Sequence, residues 1–242
     1  MKSSIVQKPS NMNAQSANNY QHLLEEIRAI ALACGRNPDD ITCIAVSKTH
    51  PWEEVLPLYE IGCFNFGENR IQEALEKIDQ APNGIDWHLI GPLQKNKVNK
   101  AIGKFVLIHS VDSIELAQKI SQSSCKAGFT TSILIEVNTS GETTKHGFDE
   151  ISLMNAFNEI SELPNLIIDG LMTMAPYTEN ENVIRQCFRR LSELNTNLKE
   201  KNCQNAPMSH LSMGMSNDYR IAIEEGATLL RIGSFIFNSN PL

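Results

Sequence analysis

The chain contains no CxxC pair, no HExxH, no GxSxG and no Walker loop. Those absences remove the usual signals for structural zinc, thiol redox, zinc proteolysis, serine hydrolysis and P-loop nucleotide chemistry. Aromatic residues are scarce at 6%, so aliphatic side chains must fill most of the core. Basic charge is not in excess: 21 Lys and Arg face 28 Asp and Glu, a formal net charge of −7. A general nucleic-acid or acidic-membrane binder needs a basic face, and that balance argues against one. A local basic cluster, Lys95, Lys97, Lys100 and Lys104, reads as a solvated helix face. No apolar run is long enough to cross a bilayer. Six cysteines (Cys34, Cys43, Cys63, Cys125, Cys187 and Cys203) lie scattered without metal or disulfide spacing, which fits reduced thiols in a cytoplasmic protein and no bound metal.

What the chain does have is alternation. β-rich runs are expected over Ile41–Ser47, Phe64–Gly67, Trp87–Gly91, Phe105–Ser110, Ser132–Asn138, Ile167–Met174, His210–Met213 and Thr228–Ile232. Helical patterns fall between them. Pro51–Gly62 opens on proline and ends on glycine, Asp112–Gly128 opens on an acidic cap, and Asn180–Lys201 carries an apolar stripe. Ser216–Gly226 repeats the pattern on a smaller scale. Eight such units in 242 residues have the size and rhythm of a single α/β domain of the (β/α)8 TIM-barrel type. A doubly wound open sheet is the competing architecture, and the strand count favours the barrel. Residues 1–19, rich in Ser, Asn and Gln, read as a flexible tail, leaving 20–242 for the barrel.

Polar residues cluster at the downstream ends of these strands, the rim that carries active sites in barrels. Lys48 ends the first, Glu68 and Asn69 the second, and His88 lies on the third. Ser212, Gly214 and Ser216 follow the seventh; Arg231, Gly233 and Ser234 end the eighth. Small residues let backbone N–H groups approach an anion, so the last two strand ends form a phosphate seat. A phosphate seat facing a strand-end lysine points to pyridoxal 5′-phosphate held as a Schiff base to Lys48. Alone, Lys48 reads rather as a lysine reaching for water, and only the phosphate seat reverses that; Glu68 and Asn69 read equally as helix caps, and His88 as a core histidine. Arg231 could salt-bridge the phosphate or face the ring nitrogen. An arginine accepts no proton there, so the ring would be a weak electron sink.

Five segments carry a family resemblance: Ala45–Thr49, Phe66–Asn69, Trp87–Gln94, Ser212–Ser216 and Arg231–Gly233. Together they resemble the YggS/PROSC family, the pyridoxal phosphate homeostasis proteins, over about Tyr20 to Phe237. The family is similar to the barrel, or N-terminal, domain of alanine racemase without that enzyme's second domain. The resemblance implies a cofactor imine at Lys48, phosphate held by Ser212, Gly233 and Ser234, Arg231 toward the pyridine nitrogen and Asn69 near the ring. It also makes Lys145 a second lysine near the rim. Ser234 stands where threonine is common in the family, and His50 where lysine is. The implied role is reversible cofactor binding and release to pyridoxal-dependent apo-enzymes, with no catalytic residue, by a monomeric cytoplasmic protein. A pyridoxal-dependent amino-acid racemase is the alternative, weakened because the tyrosine that completes such a site comes from the missing domain. A Schiff-base aldolase acting on sugar phosphates is a weaker third.

Overall fold

The computed structural model describes residues 11–142 and 146–238, with side chains from Gln15 onward. Among them eight parallel strands close into one barrel in sequence order. They are β1 Thr42–Val46, β2 Asn65–Glu68, β3 Asp86–Leu89, β4 Leu107–Val111, β5 Thr131–Glu136, β6 Leu166–Met172, β7 His210–Ser212 and β8 Leu229–Ile232. The barrel closes where Ala45 pairs with Ile232 on one side of β1 and with Phe66 on the other. Helices α1 Asn11–Ala33, α2 Trp52–Glu60, α3 Ile71–Ile78, α4 Val98–Ala101, α5 Ile114–Ala127, α6 Glu150–Ser161, α7 Glu181–Lys199, α8 Tyr219–Glu224 and α9 Ser234–Phe237 surround it.

Burial divides the apolar residues into two compartments. Ile44, Leu107, Leu134, Met172 and Leu229 fill the barrel interior. A much larger cluster, with Phe66, Phe157, Phe188 and many aliphatics, lies between the strands and the helices. Strands covered on both sides read as continuous apolar runs, which is why they were visible in the sequence. Helices α5 and α7 follow their apolar stripes, and Gly128 at φ 71° ends α5 in the left-handed conformation glycine favours. The acidic cap expected at Asp112 is absent. Ser113 occupies the cap position, and its hydroxyl donates to Asp112 Oδ1 at 3.3 Å.

Of the tail expected over residues 1–19, residues 1–10 lie outside the described residues, and 11–19 are the main departure. Helix α1 begins at Asn11, and Ser16 and Asn19 are buried. Asn19 Nδ2 donates to Ile236 O at 3.0 Å, tying the helix to the turn after β8. Tyr20, Leu23, Ile27 and Ala31 pack beneath it. Polar residues that looked solvent-seeking are spent on capping the barrel's seam, so composition concealed the helix.

Strand parity explains what reaches the mouth. Along β1, Ile44 faces inward among the barrel-interior residues, and Val46 and Lys48, at the same alternation, line the cavity above. On β4 the pairing with β5 shifts between Ile108 and Val111. Below the shift Leu107 and His109 are the interior residues; above it Ser110 and Asp112 line the cavity. A bulge of this kind re-aims side chains, and here it brings Asp112 to the cavity.

Beside Lys48 sits a buried charge pair. Glu68 Oε1 accepts from Lys77 Nζ at 2.5 Å and from Ser47 Oγ at 2.6 Å, and Lys77 Nζ also donates to Ser47 O. Neither side chain reaches the cavity. Glu68 is therefore a brace joining β1, β2 and α3 rather than a helix cap or a ligand group. Its second oxygen, Oε2, is buried with no hydrogen-bond partner. Removing one partner strands the other's charge, so Lys77→Met is expected to cost about 3–5 kcal/mol in a urea melt. Adding Glu68→Gln to that variant should recover a substantial part; a double variant no more stable than K77M would deny the coupling.

Candidate functional site

The strand C-termini surround a cavity of about 400 Å³ that collects Lys48, Asn69, Arg231, Gly233 and Ser234 from three regions of the sequence. Five of the six expected site residues thus share one wall. The sixth, Ser212, does not. It is fully buried, and its hydroxyl is already engaged by His109 Nδ1 at 2.8 Å and by Arg231 Nη1 at 2.5 Å. Ser212, expected to touch a phosphate, instead bonds Arg231 and does not line this cavity. Strand β7 is only three residues long, so its last residue stays below the rim.

Lys48 is exposed, and its amine makes no hydrogen bond or ion pair among the described residues. Thr49 follows in the left-handed region at φ 67°, which costs a β-branched residue, and its hydroxyl donates to Lys48 O at 2.5 Å. The chain thus turns sharply away just after the lysine. Asn69 has no side-chain partner among the described residues and faces the cavity. Gly91 faces it too, for a steric reason: a Cβ there would lie 2.4 Å from Asn69 O. The ends of β2 and β3 could not approach so closely with any other residue.

At the ends of β7 and β8 the cavity wall is backbone. Phe235 N donates to Ser216 Oγ at 3.1 Å, linking the two loops. Met215 N is satisfied by Asp218 Oδ1 at 2.6 Å. The amides of Ser216, Asn217, Gly233 and Ser234 find no acceptor among the described residues, and all four residues line the cavity. Four unspent N–H donors and the Ser234 hydroxyl form an anion seat. Gly214 serves otherwise than expected. At φ 95° a Cβ there would meet Ala222 Cβ at 2.6 Å, so it packs a turn against α8 and leaves the anion to its neighbours.

Arg231 is 5% exposed and spans the floor. Its Nη2 donates to Thr173 O at 2.9 Å. Burial pulls its guanidinium down to about 10, against the opposing charges of Asp218 and Glu136. Below it runs a chain absent from the sequence reading. Ser212 meets His109, His109 Nε2 meets His88 Nδ1 at 3.1 Å, and His88 Nε2 meets Asn65 Oδ1 at 3.2 Å. The chain has one consistent direction. Asn65 Oδ1 only accepts, so His88 Nε2–H donates and His88 Nδ1 accepts. His109 Nε2–H then donates, its Nδ1 accepts from Ser212 O–H, and Ser212 Oγ accepts from Arg231. Both imidazoles must be neutral. Burial agrees, holding His88 down at about 4 and His109 well below its ordinary value. His88 is thus a core histidine, as one of its two readings held.

The opposite wall was not anticipated either. Glu136 ends β5 and Asp112 follows β4; both line the cavity. His146 lies 3.8 Å from Asp112 and is itself exposed. Lys145 lies outside the described residues. Tyr177 is 96% exposed and lines a neighbouring groove instead. Strand-end position was the only signal that could have found Glu136, and it was read there as an ordinary strand residue.

These features match known proteins over nearly the whole chain. The family model for the alanine racemase N-terminal domain matches residues 18–241. The pyridoxal phosphate homeostasis protein of Aquifex aeolicus is 43% identical over 216 residues, covering 89% of this chain and 94% of that one. Its counterpart in Escherichia coli K12 is 34% identical over 228 residues, covering 92% and 96%. PipY of Synechococcus elongatus, solved with PLP bound, superposes at TM-score 0.80 with 32% identity, covering 93% of this chain and all of that one. An alanine racemase from Clostridium difficile shares the fold at TM-score 0.73 but only 17% identity, and this chain covers 58% of it.

The histidine chain makes stability depend on acid. With folded values depressed below the unfolded 6.5, the unfolded state binds the extra protons. Stability is therefore full above about pH 6.5 and falls as pH drops toward 4, by on the order of 3 kcal/mol for His88 alone. Urea melts from pH 7.5 to 4.5 should trace that decline, and His88→Gln, which keeps a donor and an acceptor without titrating, should flatten it. An unchanged slope in H88Q would remove the histidines as its cause.

Proposed function

The chain belongs to the pyridoxal phosphate homeostasis protein family, and we propose that it binds pyridoxal 5′-phosphate in the cavity between Lys48 and Arg231 and serves intracellular vitamin B6 balance. The carrying observation is the seat of unspent amides at Ser216, Asn217, Gly233 and Ser234, placed within one cavity with an unpaired lysine. That donor set fits a phosphate monoester, because backbone N–H groups bind an anion without needing a charge of their own. When bound, the cofactor supplies an aldehyde that bonds a lysine amine as an imine, and a ring that withdraws electrons.

Lys48 would provide that amine. It projects from the end of β1, and among the described residues no carboxylate pairs with it, so no such pair need be broken before it reacts. Ser216, Asn217, Gly233 and Ser234 would hold the phosphate, and Asn69 would donate to or accept from a polar edge of the ring. Arg231, fixed by Ser212 and Thr173, would present a donor toward the ring nitrogen and never a proton acceptor. A ring so met stays a weak electron sink. The reading is therefore of holding and release to acceptor apo-enzymes, without turnover, by a monomer in the cytoplasm. Six free thiols support the reducing compartment.

A racemase built like alanine racemase would need a tyrosine facing Lys48, and Tyr177 lies off the cavity wall; the acids that do face Lys48 are Glu136 and Asp112. Exchange of an amino acid's α proton in deuterated water separates the readings: sustained exchange with turnover would establish the enzyme.

Titration with pyridoxal 5′-phosphate should give a yellow protein that borohydride fixes irreversibly. In Lys48→Ala that absorbance should vanish, with mass spectrometry finding no adduct at position 48. Loaded wild type should reactivate an apo-enzyme faster than free diffusion of the same dilution allows. Adduct on another side chain in the wild type would overturn the assignment of Lys48; failure to reactivate would overturn delivery.

A further inference from the structure

The cavity is electrically divided in a way that a phosphorylated aldehyde alone does not explain. Lys48 on β1 and Arg231 on β8 form its cationic side. Glu136 on β5 and Asp112 beyond β4 form its acidic side. In a closed eight-strand barrel β1 and β5 are diametrically opposed, so Lys48 and Glu136 face each other across the mouth. A phosphate ester gains from the cationic side only, and two carboxyls nearby would repel it.

Glu136 is the informative residue. It is 6% exposed, lines the cavity, and its carboxyl makes no hydrogen bond or ion pair among the described residues. Burying a carboxyl without a partner is expensive, so such a group is retained where a partner arrives from outside. Asp112, two residues past the β4 shift, adds a second acceptor beside it, partly occupied by Ser113 Oγ at 3.3 Å and 3.8 Å from His146. Burial and the neighbouring Asp112 raise the Glu136 carboxyl above its usual range, against the pull of His146 and Arg231. A group in that condition gains more from an incoming cation than an exposed acid would.

We propose that Glu136 and Asp112 form a subsite for a primary ammonium group, the group carried by free amino acids and by lysine side chains, opposite Lys48. The space between them and Lys48 carries apolar lining as well, from Ile90 and Met172. It therefore suits an alkyl ammonium rather than a hydrated metal ion, and no cluster of three or more candidate metal ligands occurs among the described residues. The inference rests on the pyridoxal phosphate reading for its purpose: a primary amine held here shares one cavity with the lysine it would have to displace for the cofactor to leave. The binding itself does not depend on that reading.

The test uses the full chain without cofactor and 1,4-diaminobutane as the probe, followed by calorimetry and by methyl resonances of Ile90, Met172 and Met174. Saturable binding with shifts at those methyls is expected at pH 7.5. Removing one charged acceptor should weaken it by about tenfold or more in Glu136→Gln and in Asp112→Asn. Affinity should fall as pH drops through the raised Glu136 range, and 1,4-butanediol should not bind. Thermal melts of both isosteric variants establish that the fold is kept. Equal binding in wild type and E136Q, or shifts confined to exposed carboxylates such as Glu150, would overturn the subsite. So would diol binding as tight as the diamine. If the protein takes up diamine but never pyridoxal 5′-phosphate, the functional reading fails and the subsite stands; the reverse result sinks the subsite alone.

Discussion

A guanidinium buried in a barrel mouth must be supplied with acceptors from below, and Arg231 takes two, Ser212 Oγ and Thr173 O. Everything beneath it follows from that requirement. Ser212 can accept from Arg231 only if its own proton has somewhere to go, which is His109; His109 needs His88, and His88 needs Asn65. A chain that ends in an amide oxygen has one direction, so the arginine is always the donor and its position is fixed. An arginine paired with carboxylates would be equally charged but could swing between partners. Here the bonded partners are neutral, so the charge, offset only through space by Asp218 and Glu136, stays directed at whatever fills the cavity.

The same economy appears at Lys48. A lysine meant to react must not be spent on a salt bridge, yet its strand end must be held firmly. The Glu68–Lys77 pair does the holding one residue away, through Ser47 Oγ and Ser47 O, and leaves the Lys48 amine alone. Thr49 turns the chain out immediately afterward at a conformational cost. The result is a rigid backbone under a free side chain. Loose backbone would spread the amine over many positions, and each would lower the chance of meeting an aldehyde held at a fixed distance.

The sequence revealed the architecture almost completely, because strands buried on both faces appear as apolar runs and helices as stripes. That Lys48, Asn69, Arg231, Gly233 and Ser234 line one cavity was legible because they sit at or just past strand ends, and their convergence follows from the barrel topology. What remained hidden shares a cause. Ser212 was placed on the wall because a three-residue strand gives no sign of where its end stops relative to the rim. His109 sits mid-strand in Leu107–Val111, where a polar residue reads as an accident until its partner across the barrel is known. Asp112 owes its position to a register shift that no one-dimensional pattern records. Helix α1 was lost over residues 11–19 because polar residues that bond the barrel's last turn resemble those of a solvated tail.

Cofactor holding and cofactor catalysis differ in what surrounds the ring, and the distribution of charge here bears on the choice. A strong electron sink needs an acceptor that takes the ring nitrogen's proton interaction in charged form; Arg231 cannot supply it, and the two neutral histidines behind it cannot pass a proton forward without reversing every bond in their chain. Reversal would require Asn65 to rotate its amide and both tautomers to switch together. The chain therefore insulates the arginine as firmly as it positions it. Against that fixed donor, the cavity's other ionisable groups among the described residues include Lys48, Glu136, Asp112 and His146, a set that suits exchanging one amine for another. Exchange needs a neutral nucleophile, a departing amine and a carboxyl able to hold a proton between them, and it needs no stabilised carbanion. On the proposed reading, a barrel that would keep the ring electronically quiet while setting amines and acids around the aldehyde suits passing the aldehyde on.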